Sequence, residues 1–225
     1  MTDAQLYRLS GLALVVGMVL SVASTIVSGI LFPDSGNAAA AANPLNVLLG
    51  VLGAIGAILA LFGLPGLYLR SAREGGVVWL IGVALIGLTA VIFGIYLALT
   101  FALVFPAIAT RAPSLLSEGP PPSFFAIFII GTLANVFGAL LMGIPMLTKR
   151  IYSRWCGYLL IIEVVLAAAS FFVNGPSSTS LLSQILNVIA PLPLFVVLGW
   201  GGYELWTGKP ATSEVAAGAV SAQPA

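Results

Sequence analysis

VVWLIGVALIGLTAVIFGIYLALTFALVF, residues 77–105, carries no charged side chain along its whole length. At about 1.5 Å of rise per residue, a helix of this length exceeds the roughly 30 Å of hydrocarbon in a bilayer. A helix also satisfies its backbone hydrogen bonds within one segment, as lipid requires. The rest of the chain is written in the same way. Its 225 residues are 60% hydrophobic and only 7% charged, against roughly a quarter charged in ordinary soluble domains. A soluble fold has no cover for that much apolar surface. The apolar runs have helix lengths and lack strand alternation, so the class is all-α and integral membrane.

Six such segments are predicted, near 9–31, 45–69, 77–105, 123–147, 155–173 and 181–206. Together they make one transmembrane domain over residues 1–207. The breaks have local causes. FPDSGNAAAAANP (32–44) holds Pro, Gly and Asn, SAREGG (71–76) is a short polar turn, and PAIATRAPSLLSEGPPPS (106–123) is proline-rich. TKRIYSR (148–154) is basic, and NGPSSTS (174–180) reads as a turn. Residues 208–225 read as a disordered cytoplasmic tail. The apolar run from Gly11 to Leu31 exceeds the roughly 7–15 residues of a signal-peptide core, so the first segment is read as a retained helix.

The basic residues fix an orientation. Arg8, Arg70, Arg73, Lys149, Arg150, Arg154 and Lys209 fall on one side of a six-helix topology, and Arg111 alone falls on the other. Lys and Arg are retained in the cytoplasm, which places both termini there. Trp79, Trp155 and Trp206 lie at the same helix ends and are expected at headgroup depth, with Trp200 slightly deeper.

Helices 1, 3 and 5 open alike, with RLSGLALVVGMVL (8–20), REGGVVWLIGVAL (73–85) and RWCGYLLIIEVVL (154–166). Helices 2 and 4 close alike, with GLPGLYLR (63–70) and GIPMLTKR (143–150). Two readings fit the echo: three tandem helical hairpins related by an axis along the membrane normal, or the general grammar of interfacial Arg followed by Gly and aliphatic residues. In this register Glu163 occupies the slot that Gly17 and Gly82 fill.

Small residues recur at helical spacing: Gly17, Ser21, Thr25 and Gly29 on helix 1, Gly50, Gly53 and Gly56 on helix 2, and Ala134, Gly138, Ala139 and Gly143 on helix 4. Such rows let backbones approach closely in lipid, and packing within the chain is expected. Prolines interrupt helices 2, 4 and 6 at Pro65, Pro145 and the pair Pro191 and Pro193. The last pair lies in mid-membrane, where carbonyls near Asn187 and Ile189 are freed and need partners.

Glu163 lies about 12–14 Å inside Arg154 at ~1.5 Å per residue. A charged carboxylate at that depth costs about 2.5–3.5 kcal/mol on insertion scales. No basic side chain lies at its level, so it is expected to be neutral and buried between helices. Asn135, Thr132, Ser21 and Tyr96 are its candidate partners, Asn135 and Ser21 being nearest in depth. The candidate polar site inside the membrane is therefore Glu163, Asn135, Asn187, Pro191 and Pro193.

Other chemistry is excluded by what the chain lacks. It has no histidine, which rules out His-ligated haem and Ser-His-Asp chemistry within this chain, and its single cysteine forms no intrachain disulfide. No H-E-x-x-H, P-loop or G-x-S-x-G pattern occurs. No lysine lies within a predicted helix, so no retinal Schiff base is expected, and no basic tract points to nucleic acid. No cofactor or metal is expected.

The R-x-x-G helix starts, FGLPGLYLR (62–70), RWCGYLLIIE (154–163) and LGWGGYELW (198–206) together resemble a group of uncharacterised bacterial six-helix integral membrane proteins. Similar members show R-W-x-G-L-L-L at helix 5 and L-G-Y-x-L-W at the end. The resemblance implies a multi-pass protein of the bacterial cytoplasmic membrane and carries no activity with it. This chain departs from the group at Glu163, where such runs continue with Gly or an aliphatic residue. The expected function is non-enzymatic: a scaffold or accessory subunit to a partner membrane protein, or a binder of an apolar ligand or lipid. The alternative is a small transporter with a midplane site at Glu163 and the proline-broken helix 6.

Overall fold

The computed structural model describes residues 3–33, 38–112, 122–149, 151–173 and 180–208. Every regular element among them is helical. Six helices are long and apolar enough to cross a membrane: α1 (Gln5–Leu31), α2 (Pro44–Ala72), α3 (Glu74–Arg111), α4 (Phe124–Lys149), α5 (Arg154–Val173) and α6 (Leu181–Thr207). The chain is an integral membrane protein with the expected helix count. The expected tail, the centre of the 106–123 loop and most of 174–180 lie outside the described residues.

The helices form a ring in chain order. Each packs on its sequence neighbours, and α6 closes back onto α1. Glycine makes the closest of these approaches. A Cβ on Gly17 would stand 2.6 Å from the Gly56 carbonyl, and one on Gly11 would stand 2.5 Å from the Gly202 carbonyl. Gly138 lies against Ile86, and Gly143 against Leu160. The small-residue rows thus join α1 to α2 and α6, and α4 to α3 and α5. Large apolar side chains such as Val19, Phe62, Val165 and Phe172 point outward, where lipid replaces a core partner.

One end of the ring gathers the start of α1, the end of α2, the start of α3, the end of α4, the start of α5 and the end of α6. Arg70 pairs with Glu204 there at 3.4 Å. Lys149 Nζ donates to the Glu74 carbonyl at 3.0 Å. The continuous core fills this basic half and includes Leu14, Leu67, Trp79, Met142, Met146, Tyr152, Leu160 and Leu205.

Several expectations need correction. The SAREGG turn is nearly absent: helical structure runs from Pro44 to Thr89, and Gly76 alone leaves it, at φ 62 and ψ −155. A residue without a Cβ takes that conformation without strain, so one position reverses the chain. Helix 3 continues past 105 to Arg111, because Pro106 sits in the first turn of a new helical stretch, where its missing N–H costs nothing. The basic 148–154 connection is not polar throughout. Ile151 and Tyr152 are buried in the core.

Trp79 is no interfacial anchor. It is fully buried and stacks on Tyr152, with ring centroids 6.0 Å apart. Trp155, Trp200 and Trp206 are exposed on the outer surface. Nor does the helix-start echo carry into equivalent contacts. Gly17 meets α2 and Gly82 meets Met142 of α4, each inside its own hairpin. Glu163 turns instead to α4, in the preceding hairpin.

Candidate functional site

Where the packed core ends, the six helices line a half-open cavity of about 390 Å³. Its floor is made by Met18, Leu64, Ile86, Leu194 and Leu198, all of which belong to the core. Its upper wall lies toward the end opposite the basic cluster, around Ser24, Phe128, Ser170 and Asn187. Two irregular helices contribute to this wall. α3 is wound as π-helix over Ala90–Leu97 and Thr100–Val104. The hydroxyls of Thr89 and Thr100 bond the Leu85 and Tyr96 carbonyls one turn back, at 3.0 and 2.7 Å. The same bond occurs at Thr132 and Thr148 on the regular α4, so it accompanies the π-winding without setting it. α6 is broken between Leu181–Ile189 and Leu192–Thr207, as the two prolines predict.

Glu163 reaches the cavity from the middle of α5 and is only 1% exposed. Asn135 of α4 donates from Nδ2 to Glu163 Oε1 at 2.5 Å. Asn135 Oδ1 and Glu163 Oε2 are also buried, and neither has a hydrogen-bond partner among the described residues. The pair therefore holds one bond between its members and leaves two oxygens open.

The other expected site residues divide. Asn187 lines the cavity, and its Oδ1 accepts from Ser170 Oγ at 3.1 Å, joining α6 to α5. Pro191 lines the cavity at the break, whereas Pro193 does not and sits in the first turn of the second half-helix. Thr132 and Ser21 line the cavity without bonding Glu163. Thr132 Oγ1 bonds the Phe128 carbonyl of its own helix at 2.9 Å. Tyr96 is 45% exposed and outside the lining, so it is not a partner of Glu163.

Sequence reasoning did not single out Ser24, Thr89 and Ser170 as cavity groups. Ser170 falls seven residues after Glu163, two turns along the same face, and that spacing was its only signal. The α1 row also divides its labour: Gly17 and Gly29 pack against neighbours, and Ser21 and Thr25 face the cavity.

A second polar cluster closes the basic end. Glu204 accepts from Trp200 Nε1 at 2.8 Å and pairs with Arg70, whose guanidinium lies 5.4 Å from the centre of the Tyr152 ring. Trp79 Nε1 is buried without a hydrogen-bond partner among the described residues. Burial pushes the Tyr152 phenol up to about 12, while Ser71 and Arg70 pull the other way. Packed aromatics and an ion pair therefore stand between the cavity and the basic end.

Fold and site together define a polytopic helical membrane protein with a polar-marked cavity inside its ring. No family model, curated protein or solved structure matches the chain.

Proposed function

We propose that the protein is a non-enzymatic binder of a small, largely apolar molecule taken up into the membrane-embedded cavity. The observation that carries this reading is the cavity itself. At about 390 Å³ it falls within the roughly 300–1,000 Å³ typical of small-molecule sites. Its wall is mostly apolar, and a few polar groups, Glu163, Asn135 and Asn187 among them, stand at fixed points. That is the pattern of a site that holds an apolar body and orients one polar end. A scaffold or accessory subunit needs no such interior space, so the cavity favours the binder. The resemblance and the distribution of basic residues support a home in a bacterial cytoplasmic membrane.

A transporter is the second reading. The broken α6 and the π-wound α3 both form cavity wall, and interrupted helices at mid-membrane often line transport sites. Native mass spectrometry of gently extracted protein tests the first reading. A retained small molecule or lipid is expected, and Ala167→Phe, which fills the cavity from α5, should release it. Protein that flies empty, or only with a stoichiometric protein partner, would overturn the binder. Flux across proteoliposomes that is lost in the same variant would favour the transporter.

A further inference from the structure

The two open oxygens at the Glu163–Asn135 pair say what kind of polar end the cavity suits. Asn135 Oδ1 and Glu163 Oε2 belong to one hydrogen-bonded pair, and both are buried and unpartnered. An amide oxygen can only accept, and the same holds for both oxygens of a carboxyl group that has lost its proton. No lysine or arginine is among the described residues that line the cavity, and the chain has no histidine. A buried carboxylate without a counter-charge is costly. Four phenylalanines, Phe93, Phe128, Phe171 and Phe195, also line the wall. Phe93 and Phe128 meet edge to face with centroids 5.4 Å apart. Aromatic faces accept both an apolar body and a positive charge.

We propose that the cavity binds a lipophilic primary or secondary amine, its nitrogen donating to Glu163 Oε2 and Asn135 Oδ1 and its apolar body lying among the phenylalanines. The proposal rests on the binder reading above and gives that ligand its chemical class. The amine enters from lipid as the neutral base, so no bare charge crosses hydrocarbon. The proton on the Glu163 carboxyl passes to the amine nitrogen, which uses its lone pair to form the new N–H bond. The O–H electron pair stays on Glu163. An ammonium and a carboxylate result, and the net charge of the site is unchanged. Asn135 Nδ2, already bonded to Oε1, helps to hold the carboxylate.

Phenylbutylamine and phenylbutanol, which share an apolar body and differ in the head group, test this on the purified full chain in nanodiscs. The amine should bind wild type more tightly than the alcohol. Glu163→Gln keeps the shape and the bond to Asn135 and should weaken the amine by about 10- to 100-fold, the loss of one charge-assisted bond. The alcohol should change by less than about threefold, as for a neutral bond kept. Infrared difference spectra give an independent readout. Amine addition should remove a protonated carboxyl band and add carboxylate bands in wild type, and do neither in Glu163→Gln. Equal binding of both probes, or equal effects of Glu163→Gln on both, would overturn the amine assignment and leave the cavity binder standing. Binding of neither probe to folded wild type would overturn both.

Discussion

Glu163 and Asn135 face each other across α5 and α4, and their bond ties two helices at a depth where lipid offers neither group a partner. A glutamine at 163 keeps an acceptor for Asn135 Nδ2 at nearly the same volume. Glu163→Gln should therefore leave thermal stability in detergent close to wild type. Glu163→Leu should cost about 0.6 kcal/mol and at most ~1.7, the span of interhelical hydrogen bonds in membrane double-mutant cycles. A glutamine variant that melts as early as the leucine variant would refute a tie made by hydrogen bonding. Tyr152 supplies a pH dependence. Its phenol titrates at about 12 in the folded chain against 10.0 for the ordinary value. The folded state then holds the proton more tightly than the unfolded state, so stability is full below pH 10 and falls as pH rises toward 12. Tyr152→Phe should flatten that decline in alkaline melting curves. An unchanged slope would remove Tyr152 as its source. The depth of Glu163 and its partner on α4 were legible in sequence, because an acid in an apolar run stands out and Asn135 shares its level. The Arg70–Glu204–Tyr152 cluster was not, since each member reads alone as an ordinary interfacial residue and only the closing of α6 onto α2 and the 4–5 connection unites them.

At the scale of the helix, glycine has two different jobs here, and substitution separates them. A Cβ at Gly17 would meet the Gly56 carbonyl at 2.6 Å and the Ala60 backbone nitrogen at 3.0 Å. Backbone gives way only if α1 and α2 move apart, so Gly17→Ala should destabilise by about 1–3 kcal/mol, the usual penalty of overpacking. A Cβ at Gly87 would find only flexible leucine ends at 3.6 and 3.7 Å. Gly87→Ala should thus be neutral or stabilising by up to about 1 kcal/mol through helix propensity. Melting temperatures of the two variants check the contrast, and equal effects would show that glycine here serves no close approach. The small-residue rows and the break in α6 could be read from spacing and from proline because both are local chemistry. The helix ends near Gly76 could not. SAREGG has turn composition, yet helical hydrogen bonding persists through it and one positive φ makes the reversal. The π-winding of α3 left no trace in the sequence, because threonines bonded one turn back occur in the regular α4 as well. Trp79 was misplaced for a related reason. Its position along α3 suits an interface, but its direction around the helix faces Tyr152.

The whole molecule is asymmetric along the membrane normal, with a solid core in the basic half and a cavity in the other. Orientation therefore decides which side of the membrane supplies the ligand. Of eight Lys and Arg residues, seven fall on one side of the topology and Arg111 on the other. The helix ends that carry Arg8, Arg70, Lys149 and Arg154 do meet at one end of the ring, as Gly11 against Trp206, Arg70 with Glu204 and Lys149 on Glu74 attest. The membrane potential and anionic lipid both favour that end in the cytoplasm. We propose on this ground that both termini are inside and that the cavity lies toward the outer side, with Trp79, Tyr152 and the Arg70–Glu204 pair packed between it and the cytoplasm. Cysteine labelling tests the arrangement in a Cys156→Ser background, which removes the native thiol. A membrane-impermeant reagent on intact cells should label Ser117→Cys and spare Ser153→Cys, and permeabilised cells should expose Ser153→Cys as well. Labelling of Ser153→Cys but not Ser117→Cys on intact cells would invert the topology. It would move the cavity to the cytoplasmic half, and the ligand would then be drawn from the inner leaflet.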